Sequence, residues 1–146
     1  PSVRRVHVPV SGRRFHAYAS FENPGIGEVR DALMAALAYR RTKAVIAVDD
    51  DIDLFSDSDI MFALATRVQW ERDVITASGL QGSLMDPSLA RGAKTVQKAG
   101  IDATLAPSEV PGAPRPVAPR NSVSAAALDS AIARLTGFDT TGWPEL

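Results

Sequence analysis

Apolar and polar residues alternate over the first twenty positions of the chain. Between residues 3 and 10, Val6, Val8 and Val10 lie on one side, with polar residues or proline on the other. This period of two predicts a half-buried β-strand. After a Ser-Gly-Arg-Arg turn, residues 15–21 alternate phenylalanine or alanine with other residues. We therefore expect the two strands to pair as a hairpin.

A helical period follows an Asn-Pro-Gly turn. From Ile26 onward, apolar residues recur three or four positions apart. This spacing predicts an amphipathic helix from about Gly27 to Arg41. Arg40 and Arg41 would then occupy its last turn, where cations interact favourably with the helix dipole.

A continuous apolar run at residues 44–48 predicts a central strand that is buried on both faces. The run is followed at once by an acidic cluster. That cluster consists of four aspartates, Asp49, Asp50, Asp51 and Asp53.

Shorter elements follow the acidic cluster. A helix over residues 60–68 is apolar nearly all round, so we expect it to be well buried, with Ser56 as its cap. A strand over residues 73–77 precedes a glycine-containing loop over residues 78–86. Asp86 would cap a short helix that has a proline at its first position.

The predicted order is strand, strand, helix, strand, helix, strand, short helix and terminal helix. Alternating strands and helices imply a layered α/β domain, a mixed β-sheet flanked by helices, over residues 1–106. Five of the ten prolines lie between residues 107 and 119, which predicts an extended proline-rich strap over residues 107–121. Residues 122–146 form a C-terminal helix and tail, expected to dock on the domain or on a partner.

Composition narrows the classes of function. The 146 residues include no cysteine and two histidines, which excludes a disulfide framework, a thiolate metal site and a cysteine nucleophile. A net charge of −1 argues against a nucleic-acid module. No apolar run approaches the ~18 residues that a membrane span needs. We expect a cytoplasmic domain that binds neither nucleic acid nor membrane and holds no metal of its own.

The acidic cluster lies where α/β folds often place their sites, at the carboxyl end of a strand. A response-regulator pocket is disfavoured, because two strands and a helix precede the cluster and Asp102 follows a glycine. A calcium loop fails, because Leu54 and Ile60 stand where it needs glycine and glutamate. The favoured interpretation is structural: the carboxylates accept backbone N–H groups and pair with Arg67.

Five segments follow one another as similar segments do in the UbiD family of decarboxylases. The central strand with its aspartates resembles "VIVVDDDID", and the next helix resembles "DVIWALATR". The matching segments of this chain are Val45–Asp53, Asp59–Arg67, Glu71–Asp73, Leu84–Ser88 and Lys98–Thr104. Five ordered motifs are more specific than any one of them, and the chain resembles the C-terminal domain of that family.

The resemblance implies a function shared with another chain. Enzymes of the family are typically reversible decarboxylases of aromatic or α,β-unsaturated carboxylic acids. They use prenylated FMN, with a divalent metal (Mn or Mg) and K at its phosphate. Their flavin-binding segment and catalytic Glu-Arg-Glu set belong to an upstream domain that nothing here matches. We therefore expect a small subunit without catalytic residues, in a hetero-oligomer with a large catalytic subunit that carries the flavin.

Two alternatives stay open at this point. The alternative function is a non-catalytic binding or regulatory module that retains the domain. Pro1 is consistent with a natural start after removal of an initiator methionine, but a truncated piece of a longer chain would look similar.

The loop from Gly79 to Ser88 is the best candidate for reaching a partner's active site. The resemblance places near the family's substrate pocket the residues Ser83, Leu84, Met85, Asp86 and Pro87. The leucine and the methionine suit packing against a flat ring. The competing interpretation is that they anchor the loop to this domain's own core, with Asp86 as a helix cap. Lys94 and Lys98 are expected to be solvated.

Overall fold

The computed structural model of the protein describes residues 2–105 and 124–135, except for the side chains at 128 and 135. The strands are β1 (Val3–His7), β2 (His16–Phe21), β3 (Ala44–Asp49), β4 (Val74–Gln81) and β5 (Thr95–Ala103). The helices are α1 (Glu28–Leu37), α2 (Asp57–Arg67), α3 (Trp70–Asp73) and α4 (Ala125–Leu135). The strap predicted over residues 107–121 lies outside the described residues, as does the tail after residue 135.

The five strands form one mixed sheet in the order β1-β2-β3-β5-β4. β1 and β2 pair as the predicted antiparallel hairpin, and β2, β3 and β5 run parallel. β4 is antiparallel to β5. The predicted α/β class with a mixed sheet is confirmed. Because β2, β3 and β5 share one direction, their carboxyl ends meet at one end of the sheet and their amino ends at the other.

β3 is the buried central strand that its sequence predicts. Its alternate side chains enter two separate apolar clusters, one against α1 and one against α2. The α1 cluster consists of Phe21, Val29, Leu33, Leu37, Val45 and Ala47. The α2 cluster consists of Tyr18, Ile46, Val48, Ile52, Leu54, Ile60, Ala63, Val68 and Ala103. Cover on both faces explains why β3 is apolar throughout rather than alternating.

β5 has no counterpart among the predicted elements, although it lies in the interior of the sheet. Lys98 and Gly100 interrupt its apolar pattern. Lys98 was expected to be solvated, but it is 1% exposed, and its Nζ donates to the carbonyl oxygens of Leu37 and Tyr39 at 3.0 and 2.7 Å. Burial lowers the pKa of this amine. Gly100 lies so close to α1 that a Cβ there would come within 3.2 Å of the Leu33 Cβ.

The first helix is shorter than its sequence predicts. α1 ends at Leu37, so Arg40 and Arg41 lie beyond it and its last turn contains no basic residue. Ile26 is 94% exposed rather than part of the buried face. The carbonyl groups at the end of α1 instead receive the ammonium group of Lys98, from a strand about sixty residues further on.

The second helix begins as predicted but is less buried. The Ser56 Oγ caps it by accepting the N–H of Asp59 at 3.3 Å. Its outer face includes Met61, which is 62% exposed. The expectation of a well-buried helix is therefore wrong, because α2 covers the sheet with one side only.

Strand burial and length also differ from prediction at the two edges of the sheet. The first four residues of β1 are exposed, Val6 at 64%, so β1 is not half-buried. β4 continues past Ala77 to Gln81, through a register shift where Gly79 has φ +74°. A bulge that contains a glycine with positive φ allows a strand to continue past a turn-like sequence.

The predicted C-terminal helix is present as α4, which begins at Ala125. Every side chain of it that the structure describes is exposed, including Ile132 at 50%. Docking of this helix on the domain or on a partner is still a prediction. No helix of the described part is long and apolar enough to cross a membrane.

Candidate functional site

Arg67 lies at the centre of the acidic cluster. Its guanidinium Nη1 donates to the Asp49 Oδ2 at 3.0 Å and to the Asp51 Oδ1 at 3.0 Å, and Nη2 donates to the Asp51 Oδ2 at 2.6 Å. The two bonds to Asp51 are the parallel pair that favours arginine in this role. The Arg67 side chain is 2% exposed, so the end of α2 is tied to the end of β3 inside the domain.

Opposing effects act on the pKa of the Asp49 carboxyl group. Burial raises its pKa, against the lowering effects of the Leu105 N–H, which donates at 2.5 Å, and of the Arg67 charge. The net result is a pKa above the usual value for an aspartate. The Leu105 N–H and Arg67 therefore both favour the charged form of this carboxyl group against its burial.

The other two aspartates of the cluster point elsewhere. Asp50 receives the Arg5 guanidinium at 2.7 Å, which lowers the pKa of its carboxyl group. The Asp53 carboxylate accepts the N–H of Phe55 at 3.0 Å and so forms a local turn. The four carboxylates are thus distributed over different partners. Across residues 2–105 and 124–135, no three acidic or histidine side chains are arranged to hold a metal ion.

The candidate pocket loop is ordered around Asp86, which is 8% exposed. Its carboxylate accepts the N–H and the hydroxyl of Ser88 at 2.9 and 2.8 Å. It also forms a salt bridge with the Lys43 ammonium group at 3.0 Å. No helix begins here, so Asp86 caps a turn rather than the predicted short helix.

Leu84 and Met85 form the tip of this loop and are 88% and 77% exposed. The N–H of Asp86 donates to the carbonyl oxygen of Ser83 at 3.0 Å and closes the turn beneath them. They therefore do not anchor the loop to the core of this domain. Pro87 follows Asp86 in the turn that leads to Ser88.

The two candidate sites lie at opposite ends of the sheet. The acidic cluster follows β3 and lies at the carboxyl end of the parallel strands. The loop joins the end of β4 to the start of β5, which places it at the amino end of those strands. One site therefore cannot contain both groups of residues.

The sequence did not identify Lys43 as a member of the loop site, and it placed Ser88 at the end of the candidate loop without a role there. Ser88 is the last residue of the matched segment Leu84–Ser88, and Lys43 lies two residues before the matched segment Val45–Asp53. The matched segment was therefore a signal for Ser88 but not for Lys43. The contact of Lys43 with Asp86 joins positions 43 residues apart and depends on the fold, whereas Ser88 lies two residues from Asp86.

The described residues do not fit the cofactor that the resemblance implies. The acidic side chains of the cluster are engaged by Arg67, by Arg5 and by backbone N–H groups. The buried ammonium group of Lys98 is engaged by helix carbonyls. We therefore assign no reaction step through a flavin or a metal to this chain.

Comparison with known proteins agrees with the motif order. The model of the 3-octaprenyl-4-hydroxybenzoate carboxy-lyase C-terminal domain, UbiD_C, matches residues 1–103. Anhydromevalonate phosphate decarboxylase of Archaeoglobus fulgidus is 43% identical over 100 residues, which are 68% of this chain and 23% of that protein. Gallate decarboxylase of Lactiplantibacillus plantarum is 39% identical over 57 residues, 39% of this chain and 12% of that protein.

A solved structure shares the fold. The UbiD-class enzyme HmfF from Pelotomaculum thermopropionicum, in complex with FMN, superposes with a TM-score of 0.69 at 35% identity. The match covers 82% of this chain and 27% of HmfF. The chain thus spans about a quarter of the length of the archaeal relative and of HmfF. With the domain model matched over residues 1–103, the chain belongs to the UbiD family through that family's C-terminal domain.

Proposed function

We propose that this chain supplies the C-terminal part of a flavin-dependent decarboxylase. It completes the substrate pocket and the oligomer interface, while a large UbiD-like subunit carries prenylated FMN, a divalent metal, K and the catalytic Glu and Arg residues. Family membership and the quarter-length coverage of the relatives support this division. The chain is then inactive alone.

The observation that carries the proposal is the exposed apolar pair at the tip of the loop. Leu84 and Met85 are largely solvent-exposed, on a turn that hydrogen bonds hold in place. Exposed apolar side chains on an ordered element are typical of a surface that a partner or ligand covers. In the proposed enzyme they cover the apolar face of the substrate and exclude water from it.

The chemistry then divides between the two chains. Prenylated FMN, when bound to the large subunit, supplies the electron sink for loss of carbon dioxide. Leu84 and Met85 pack on the substrate and keep it oriented, and no described residue of this chain gives or takes a proton. Because water exclusion strengthens electrostatic interactions inside a pocket, the loop affects turnover without taking part in the bond changes.

The substrate is an aromatic or α,β-unsaturated carboxylic acid. Support comes from the two relatives, which are named for anhydromevalonate phosphate and for gallate. An enzyme assay with both acids distinguishes a phosphorylated substrate from an aromatic one. The chain covers only 23% and 12% of these two relatives, so this assay has to decide between the two substrate classes.

The direct test is co-expression with a UbiD-like chain that lacks this domain. We expect a stable complex, and release of carbon dioxide that requires both chains and the flavin. If the large chain is fully active alone and this chain changes nothing, the pocket-completing role is wrong. A non-catalytic binding module would give that result.

A second test is Leu84→Asp. A charge at the loop tip should lower turnover at least about tenfold without dissolving the complex, because burying it against an apolar substrate is unfavourable. Ile26→Asp is the matched control, since Ile26 is an aliphatic residue that is 94% exposed. It lies between β2 and α1, at the opposite end of the sheet from the loop. Turnover of Leu84→Asp equal to that of the control would place the loop outside the pocket.

A further inference from the structure

Lys43 has a backbone position that the sheet fixes on both sides. It lies immediately before β3, and its N–H donates to the carbonyl oxygen of Phe15 at 2.6 Å. Its carbonyl oxygen accepts the N–H of Ala99, in β5, at 3.0 Å. The Lys43 Cα is therefore held between neighbouring strands at the amino end of the sheet.

From this fixed position the Lys43 side chain reaches the candidate pocket loop. Its Nζ lies 3.0 and 3.2 Å from the two carboxylate oxygens of Asp86, and it also contacts the Ser88 hydroxyl. The Lys43 side chain is 33% exposed and that of Asp86 is 5% exposed, so water screens the pair less than it screens a surface pair. Burial alone would raise the pKa of Asp86, but the Ser88 N–H and the Lys43 ammonium group outweigh it and hold that pKa below its usual value.

Asp86 in turn fixes the loop tip. The Met85 N–H donates to the Ser83 Oγ at 3.3 Å and the Asp86 N–H donates to the Ser83 carbonyl oxygen at 3.0 Å. The base of the loop is closed separately, by the Gly82 N–H donating to the carbonyl oxygen of Lys94 at 3.0 Å. The salt bridge with Lys43 is thus the charged contact that ties the tip itself to the sheet.

We infer that Lys43 is a positioning residue for the decarboxylation: through Asp86 and Ser88 it holds the turn that presents Leu84 and Met85 to the substrate. The inference rests on the proposed function, because it requires these two side chains to line the pocket. Groups that line a pocket work best when contacts behind them fix their position. A displacement of about 1 Å at such a position can reduce a rate up to about a hundredfold.

The test compares Lys43→Met with Lys94→Met in the complete enzyme, that is, this chain together with the flavin-binding part. Lys94 is exposed on the same β4–β5 connection, outside the loop from Gly79 to Ser88, and its side chain makes no ion pair in the described part of the chain. Its replacement therefore removes the same charge without removing the contact. We expect Lys43→Met to lower kcat/KM about tenfold and Lys94→Met to leave it unchanged. Lys43→Arg, which can keep the salt bridge, should recover most of the activity.

Two further measurements separate positioning from folding. Hydrogen exchange of the backbone N–H groups at residues 83–86, 88 and 89 should accelerate in Lys43→Met while exchange within β3 stays slow. Lys43→Met and Lys94→Met should bind the flavin-binding part with equal affinity. Ser88→Ala removes the hydroxyl contacts with Asp86 and Lys43 but no charge. It should change exchange and kcat/KM in the same direction by a smaller factor, and it decides the matter if Lys43→Met does not fold.

The outcomes distinguish the inference from the function on which it rests. If the wild-type chain is needed for turnover but Lys43→Met and Ser88→Ala match the wild type, the positioning role is wrong and the proposed function stands. If Lys43→Met loses activity only in proportion to lost complex, Lys43 is an assembly residue and the inference is overturned. If the wild-type chain is dispensable for turnover, the proposed function fails and the inference fails with it.

Discussion

Replacing Arg67 with methionine tests whether the acidic cluster is a structural device. Methionine keeps most of the apolar stem that the helix buries but removes three hydrogen bonds to two carboxylates. The Asp51 side chain is 53% exposed, so water can replace its lost bonds at little cost. The Asp49 side chain is 20% exposed and would retain a largely buried charge without its cationic partner.

The size of the effect follows from this asymmetry. Removing one partner of a fully buried ion pair costs about 3–5 kcal/mol. Because water can replace the bonds on the Asp51 side, we expect a loss of about 2–3 kcal/mol in the free energy of unfolding. For a domain of this size that corresponds to a fall in Tm of roughly 10 °C.

The assay is urea denaturation and thermal melting, with Arg30→Met as the control. Arg30 is an exposed arginine on α1, so its replacement makes the same charge change at a surface position. Asp49→Asn in the Arg67→Met background should restore part of the lost stability, because it removes the stranded charge. A loss in Arg67→Met no larger than in Arg30→Met would refute the reasoning, and no recovery with Asp49→Asn would assign the loss to packing.

The stranded charge also predicts a pH dependence. Loss of Arg67 should raise the folded-state pKa of Asp49 further above that of the unfolded chain. A carboxyl group with a raised folded pKa loses stability as pH rises from the unfolded value through the folded value. The difference between Arg67→Met and the wild type should therefore be larger at pH 7 than at pH 3. An equal difference at both pH values would contradict this origin.

Three other variants probe single contacts. Lys98→Met should cost about 2 kcal/mol by leaving buried helix carbonyls without a donor, measured by urea denaturation, and an unchanged midpoint would contradict that role. Gly100→Ala should lower stability by about 1–2 kcal/mol, because the added Cβ lies 3.2 Å from that of Leu33. Gly25→Ala, whose Cβ meets only a side-chain oxygen at 3.6 Å, is its control. Asp86→Asn should destabilise the chain at pH 7 but less at pH 3. A carboxyl group whose folded pKa is lowered stabilises the fold above its unfolded pKa, and that stabilisation is lost as the pH falls through the folded pKa. Equal losses of stability at the two pH values would refute this prediction.

The local pattern of the sequence was sufficient for the elements whose partners are apolar. The run 44–48 predicted a strand covered on both faces, and the structure places α1 on one side and α2 on the other. The Ser56 cap was also predictable, because a cap involves residues three positions apart. Five ordered motifs indicated the family, and the domain match bears this out.

The sequence did not predict β5, because two of its residues, Lys98 and Gly100, do not look like residues of a buried strand. They are buried because of contacts that the fold creates. Lys98 is buried because the end of α1 offers two carbonyl oxygens, and Gly100 because α1 passes too close for a side chain. The α1 residues that make these contacts are about sixty residues or more away in the chain. A hydrophobic pattern reports burial against apolar neighbours, so it carries no sign of a buried lysine or of a close helix.

The candidate site divides in the same way between sequence and structure. The sequence by itself identified the acidic cluster, Arg67 as its partner and the apolar pair in the loop, since residue type and motif order carry that information. The tertiary structure decided which aspartates Arg67 engages, that the cluster and the loop lie at opposite ends of the sheet, and that Lys43 holds Asp86. These depend on strand order and direction, which bring together charged groups that are distant in the chain, and a local pattern cannot specify that pairing.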